Sequence, residues 1–412
     1  MLTPPPAPSD AAPAAADPLL QAAAGLVARD GFAGLTLRPL AGELGVSVSS
    51  LTSRYGARED IIARVLAEAA AEDRRVLSGW ARLRDRIPEG HGLPLADLAD
   101  LMLDEAASDH RERTILFLEC VQASGWDARV RAALADWRAV RAAAWNGLAR
   151  QAGVPRDVIE GGLIEGYFID ELAYSVALSG SAAYRALRRL CLRRLFRGLL
   201  PVDDPYADDR ELGEVLYERL AEDPAALAVV HGASLPADWR LEAAKCCAIL
   251  LTQQGVSAVT HRSVAQRAGL RPTTLAYRYP AQEDLVIAGL EYIITHLLTS
   301  VADVEASRSG ALVPADPMAG LDVGRATFAV AVAAIRIPRL VPCAADMRRR
   351  RGINLLRLLH SRSPDFRRMD RLAAQTLAVG MVGADLLMPV TEVSPGATEA
   401  RIGLAQRWMA GV

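Results

Sequence analysis

The chain has 412 residues, 51% of them hydrophobic and 23% charged, with a net charge of −2. That is length for two to three domains and apolar content for sizeable cores, which excludes a chain disordered throughout. The near-zero balance also excludes a global basic field drawing the whole molecule onto nucleic acid or membrane, so any anion site must be local.

The first segment, Met1 to Asp17, is Pro/Ala-rich without a basic start or a long apolar run. It reads as a disordered arm and not as a signal peptide. An Ala/Leu-rich helix from Leu19 to Ala28 then runs into Gly31, which suits a left-handed C-cap. Thr36 is placed to cap a second helix that ends at Gly45, and Ser47 a third that ends at Tyr55. A helix, a tight turn around Gly and a second short helix form a helix-turn-helix. Glu59 and Asp60 open a longer helix, where acids oppose the macrodipole. Helical spacing continues over 60–86, 95–107, 109–124, 127–151, 155–178 and 181–200. Arg189, Arg193 and Arg197 share one face of the last of these, the pattern of a solvated face.

From Pro201 to Asp223 nine acids (Asp203, Asp204, Asp208, Asp209, Glu211, Glu214, Glu218, Glu222, Asp223) stand against Arg210 and Arg219, with a short helix predicted over 208–222. Such a segment is repelled by phosphates and should run along the protein. A helix from Leu241 to Thr252 then meets Gly255, Thr260 takes an N-cap position, and Gly269, Arg271 and Pro272 precede a short helix reaching Tyr279. Cys246 and Cys247, adjacent on a helix, diverge by about 100° and are expected as buried small apolar residues, not a bridge. The four cations from Arg348 to Arg351 spread around most of a helical turn and read as a solvated stretch.

These two series are the same series. At an offset of 224 residues, Gly31, Thr36, Arg38, Ala41, Gly45, Leu51, Arg54, Tyr55, Ala57, Glu59 and Asp60 meet identical residues at Gly255, Thr260, Arg262, Ala265, Gly269, Leu275, Arg278, Tyr279, Ala281, Glu283 and Asp284. The chain reads as a tandem duplication with halves beginning near residues 18 and 239.

Both segments resemble the DNA-binding domain of the TetR family of transcriptional regulators. The first carries Leu44-Gly45-Val46-Ser47 and Leu51-Thr52-Ser53-Arg54-Tyr55 with Arg58 following; the second carries Ala268-Gly269-Leu270-Arg271 and Leu275-Ala276-Tyr277-Arg278-Tyr279 with Gln282. Where the family places a phosphate-gripping Tyr, this chain has Thr52 and Ala276, with Arg54 and Arg278 close by; its helix-opening Lys is Arg58 and Gln282.

The resemblance implies an all-α pseudo-dimer. Its expected parts are an arm over 1–17, a first head over 18–66, a first helical effector and dimerisation domain over 67–200, and an acidic linker over 201–237. A second head over 238–290 and a second helical domain over 291–412 complete it. By resemblance, helices near 155–200 pack on those near 364–411. The implied function is a transcriptional repressor that binds double-stranded operator DNA and releases it to a small-molecule effector. A second reading stays open: a helical ligand-sensing or protein-interaction module whose heads no longer bind DNA.

DNA contacts are expected in the first head from Thr36, Arg38, Ser47, Ser49, Ser50, Thr52, Ser53, Arg54 and Arg58. In the second they are expected from Thr260, Arg262, Arg271, Thr273, Thr274, Tyr277, Arg278 and Gln282. From Leu37 to Tyr55 the net charge is +1 (Arg38, Arg54, Glu43), and from His261 to Tyr279 it is +4 (Arg262, Arg267, Arg271, Arg278), so the second head should supply more phosphate contacts. Phe117, Cys120, Trp126, Trp137, Trp145, Tyr167 and Tyr174 are candidates for an effector pocket, against the competing reading that they are core packing.

Five scattered cysteines point to a reducing, cytoplasmic setting, and no apolar run reaches the roughly 18 residues a membrane span needs. Six histidines without metal spacing, and no nucleophile–base set or phosphate loop, leave no expected enzyme activity, metal or cofactor.

Overall fold

The structure is a computed structural model, describing residues 17–200, 209–221, 238–293, 322–362, 364–389 and 395–410. The described residues are all-α, with no strand among them. The first half opens with α1 (Pro18–Asp30), α2 (Leu37–Glu43), α3 (Val48–Tyr55) and the long α4 (Arg58–Arg84). It continues through α5 (Gly92–Ala107), α6 (Arg111–Ser124), α7 (Ala128–Gln151), α8 (Arg156–Glu160), α9 (Leu163–Ala177) and α10 (Ala182–Arg197). Helix α11 (Asp209–Ala221) lies in the acidic join. The second half holds α12 (Trp239–Gln254), α13 (His261–Ala268), α14 (Pro272–Arg278) and α15 (282–293), then α16 (Val323–Ala334), α17 (Val341–Arg350), α18 (Ile353–Arg362), α19 (Arg371–Leu386) and α20 (Pro395–Ala410).

Most predicted helices of the first half appear within a few residues. The exception is 155–178, which breaks into α8 and α9 because Gly162 adopts the left-handed conformation (φ 75°) and starts a new helix. The arm expected over 1–17 lies outside the described residues except Asp17, whose carboxylate accepts from Leu19 N at 2.7 Å and caps α1.

The most extensive helix–helix contact runs between α9 and α19, so the expected packing of 155–200 on 364–411 is present. It is a close one. A Cβ on Gly383 would run into the Gly166 carbonyl oxygen, one on Gly166 would hit the Gly380 carbonyl, and one on Gly380 would come within 2.8 Å of the Leu163 oxygen. Small residues let two backbones meet here as larger ones would not.

Into this junction the chain sends charge. Helix α9 is buried along nearly its whole length, Asp170 and Glu171 included. Arg348, at the end of α17, donates Nη2 to Glu171 at 2.9 Å, with both side chains fully buried. Arg351 donates to Asp170 at 3.0 Å, to the Tyr174 hydroxyl at 3.0 Å and to Thr327 at 2.9 Å. Tyr184 of α10 donates to Glu171 at 2.6 Å. Gln375 of α19 donates to the Arg348 carbonyl at 2.7 Å and accepts from the Tyr217 hydroxyl of α11 at 3.0 Å. Burial pushes the Asp170 carboxyl up to about 6, against the opposing pull of Arg351.

These contacts correct the sequence expectation for Arg348 to Arg351. Arg348 and Arg351 are not solvated; they are the second half's contribution to a buried network, while Arg349 and Arg350 both turn back onto Asp346. The face shared by Arg189, Arg193 and Arg197 is likewise only partly solvated, because Arg189 pairs with Asp100 at 2.9 Å and Arg193 with Asp209 at 3.0 Å. The acidic join contributes α11, which runs along the protein against α10, α17 and α19; its remaining positions lie outside the described residues. All five cysteines are free and buried, Cys246 and Cys247 among them.

Removing one partner of a buried ion pair strands the other in a place water cannot reach. Glu171→Gln is therefore expected to lower stability by about 3–5 kcal/mol in urea unfolding, while the double replacement Glu171→Leu with Arg348→Met is expected to lose far less. Equal loss in the two variants would show that packing, not charge pairing, is what the junction needs.

Candidate nucleic-acid interface

The two heads are built alike. Each begins with a helix stopped by a glycine of positive φ, Gly31 at 74° and Gly255 at 77°, both with ψ near 180°. This is not the left-handed C-cap expected from sequence but a more extended mirror-image conformation, which equally requires glycine. A single 3-10 turn follows in both (Phe32–Gly34, Val256–Ala258), then the second helix, α2 or α13. The tight turn between helices pivots on Gly45 and Gly269, each with φ 67°. In α3 only Leu51 is buried and in α14 only Leu275, so the outer face of each third helix packs against nothing among the described residues.

In the first head, Ser47 caps α3 by accepting from Ser50 N at 3.0 Å, and its hydroxyl also meets those of Ser49 (2.9 Å) and Ser50 (2.8 Å). These hydroxyls and Ser53 are exposed; Thr52 is half-buried and spends its hydroxyl on the Val48 carbonyl at 3.0 Å. Arg38 and Arg54 are exposed, with the Arg54 guanidinium 5.0 Å from the centre of the Tyr55 ring. Thr36 sits at the N-cap of α2 without a side-chain capping bond.

In the second head, Thr260 and Ser263 form a reciprocal capping box on α13, with bonds of 3.1 and 3.0 Å. Arg271 occupies the N-cap position of α14 and Pro272 its first residue. Thr273 and Thr274 are exposed, and Tyr277 is 92% exposed. Arg262, Arg271 and Arg278 project outward with no ion pair among the described residues, and so does Arg267, which sequence reasoning counted as charge but did not place at the site. His261 binds the Tyr279 carbonyl at 2.5 Å and ties α13 to the end of α14.

Two expected contacts point elsewhere. Arg58 is half-buried and donates Nε to the Leu35 carbonyl at 2.9 Å, and Gln282, at the matching position, donates to the Val256 carbonyl at 3.2 Å. Both tie the long helix behind the head to its own 3-10 turn. The shared task explains how Arg in one head and Gln in the other fill one position, since either supplies an N–H donor.

The expected effector residues are not brought together around a cavity. Phe117, Cys120, Trp137, Trp145, Tyr167 and Tyr174 are buried, with Phe117 edge-on to Trp137 at 5.1 Å and Trp145 stacked on Phe168 at 4.0 Å. Trp137 donates to Asp73 at 2.6 Å, a carboxylate also held by Arg113 at 2.6 Å and Arg141 at 2.5 Å. Burial pushes the Asp73 carboxyl up, but Arg141 and Arg113 outweigh it and hold it below the usual range. The cavity that reaches Trp145 measures only about 20 Å³, room for a water at most. Trp126 alone of the seven is exposed, and it lines a cleft of about 1060 Å³ between the two heads.

No group of His, Cys, Asp or Glu among the described residues is arranged to hold a metal, and no helix there is long and apolar enough to cross a membrane. No family model and no curated protein matches the chain.

The unequal caps generate a test. Thr260→Ala removes a made cap and should cost about 1 kcal/mol, whereas Thr36→Ala removes none and should cost nearly nothing. Chemical denaturation with amide exchange across α2 and α13 reads both; equal effects would mean the caps are not what hold the second helices.

Proposed function

We propose that the chain is a DNA-binding transcriptional regulator of the TetR type, a tandem duplication carrying both reading heads of a pseudo-dimer in one polypeptide. The observation that carries this reading is the unpacked outer face of α3 and α14, above all Tyr277 at 92% exposure on a helix with one buried residue. A large aromatic left almost wholly in water on the last turn of a short helix has no folding role to justify it. In a major groove it meets sugars and thymine methyls.

In this reading the arginines of the second head meet phosphates, which set affinity and position, while side chains on α3 and α14 choose bases. The heads present different chemistry at matching positions. Ser47 faces Arg271 in the alignment, Ser53 faces Tyr277, and Ser49-Ser50 faces Thr273-Thr274. Operator symmetry mirrors protein symmetry, so the half-sites should differ while their centres stay about 34–36 Å, or a multiple, apart. The regulator acts as a repressor, released when a small molecule changes how the heads are held.

Anisotropy of the purified protein on DNA from upstream of its own gene, with salt varied, tests this directly. Arg271→Ala and Arg278→Ala should each flatten the salt slope by about one unit and weaken binding across sequences. Greater damage from Arg54→Ala than from Arg278→Ala would reverse the ranking of the heads. Absence of salt-dependent binding to any duplex would leave the alternative, a helical sensing module with silent heads.

Selection from random DNA should return a non-palindromic consensus, and light scattering at low concentration a mass near 44.1 kDa. A perfect palindrome bound by a particle of twice that mass would mean that two chains bind through the same head.

A further inference from the structure

The large cleft lies where the two heads meet the helices behind them. Its walls are the turn of the first head around Phe32, the turn of the second around Ser257, the end of α6 with Trp126, and one side of α16. At about 1060 Å³ it is at the upper end of what a drug-sized molecule occupies.

Each head is gripped here by the opposite half. Arg336, just past α16, pairs with Glu119 of α6 at 2.5 Å and lies against the first head, where a Cβ on Gly31 would sit 3.2 Å from Nη2. Glu119 also accepts the Phe32 amide at 3.2 Å, so one carboxylate joins the first head's turn to the second half. One helical turn further along α6, the Gln122 amide presses on Gly255 of the second head so closely that a Cβ there would collide with it. Helix α6 therefore touches the turn of both heads through two residues on one stripe.

The charges of the wall tell what is still wanted. Its acids are already served: Glu119 as above, Asp127 by the Arg129 and Val130 amides at 2.9 and 3.2 Å, and Asp30 by Arg29 at 3.3 Å. Arg336 is not fully served, since its Nη1 is buried without an acceptor among the described residues. Trp126, 41% exposed, lines the same cleft. The unmet demands are thus an oxygen acceptor and a flat apolar surface.

We propose that this inter-head cleft binds a flat aromatic molecule carrying an anionic or carbonyl oxygen, stacked on Trp126 and bonded to Arg336, and that its occupancy sets how both heads are held. The ring covers the part of the indole now in water, and the oxygen meets the guanidinium after a small rotation about its last side-chain torsion. Because Arg336 holds one head and Gln122 the other, an occupant that moves both reaches both turns at once. Regulation of DNA binding by the cleft rests on the function proposed above; occupancy itself does not.

Anilinonaphthalene sulfonate, an aromatic body with sulfonate oxygens, is a fluorescent probe of this chemistry and is titrated without DNA. One saturable site per chain is expected, weakened about tenfold or more in Arg336→Ala and in Ser257→Trp, and unchanged in Leu101→Ser. Ser257 is exposed on its turn, so the bulky replacement narrows the cleft without entering the core and covers the case in which Arg336→Ala misfolds. Equal affinity in wild type and both cleft variants would overturn the proposal and direct attention to the 350 Å³ cavity beside Met347 and Leu355. Bound probe should also slow amide exchange at residues 31–33 and 255–258; unaltered exchange with the probe bound would refute control of the heads. A protein that binds the probe in this way yet ignores DNA would sink the regulatory reading and leave the site standing.

Discussion

Everything in this molecule hangs on the burial of two acids of α9 beneath two arginines from the other half of the chain. Asp170 and Glu171 sit on the buried middle of a largely apolar helix, and neither tolerates that environment alone. Arg351 and Arg348 arrive from the end of α17 to meet them, and Tyr184, Tyr174 and Thr327 take up further hydrogen-bonding capacity. Pulling the halves apart means rehydrating four ions together or leaving some of them stranded, so the junction should open as one event. The glycines at the α9–α19 crossing act in concert with the charges: close backbone approach closes the site to water, and exclusion of water is what makes the pairing strong.

From the junction, rigidity passes toward the heads. Helix α9 packs on both α6 and α16, these two touch each other, and each carries the first helix of a head, α1 on α6 and α12 on α16. Helix α6 is buried from Thr114 to Ser124 and α16 from Arg325 to Ala334, so neither has a solvent side on which to slide. The separation of the two heads is thereby inherited from a core that is hard to deform. What remains adjustable is the layer between core and heads, where Glu119, Gln122 and Arg336 act.

The heads were legible in sequence because their determinants are local. A glycine that must take positive φ, a hydroxyl before a short helix and a proline at a first helical position each act within four residues, and Gly45, Ser47, Gly269 and Pro272 do so where expected. The junction was not legible, because a run of four arginines resembles a solvated face until its partners are known, and those partners lie about 177 residues away. A signal was present on the other strand of the argument. Two adjacent acids in the apolar run from Leu163 to Ala177 cannot both face water once that helix is buried all round, and they call for cations. The aromatics misled for a similar reason. Phe117, Trp137 and Trp145 have the composition of a pocket, but whether rings enclose space or fill it is decided by neighbours such as Asp73, Arg141 and Phe168 that sequence order does not bring together. Arg58 and Gln282 show the same limit: each polar side chain has a backbone partner 23 or 26 residues away that local pattern does not reveal.

Joining two heads in one chain changes what each is free to become. In a symmetric dimer any substitution appears in both heads and must suit both half-sites, so phosphate grip and base reading have to coexist on one surface. Here they have parted. Between His261 and Tyr279 the second head holds four outward arginines without an acid, while the first offers serine hydroxyls bonded to one another, and its Arg29 is neutralised by Glu43 at 2.6 Å. Such a first head would bind poorly alone. On the DNA-binding reading proposed above, a head held beside a strongly cationic partner would need little affinity of its own, because phosphate contacts of the second head would keep it at high effective concentration over the adjacent groove. A weak, hydroxyl-lined head gains little from non-specific phosphate contact and so depends more on the bases beneath it. On that reading the division of labour would follow from the covalent join, with the buried pairs between α9 and the end of α17 holding the two halves together.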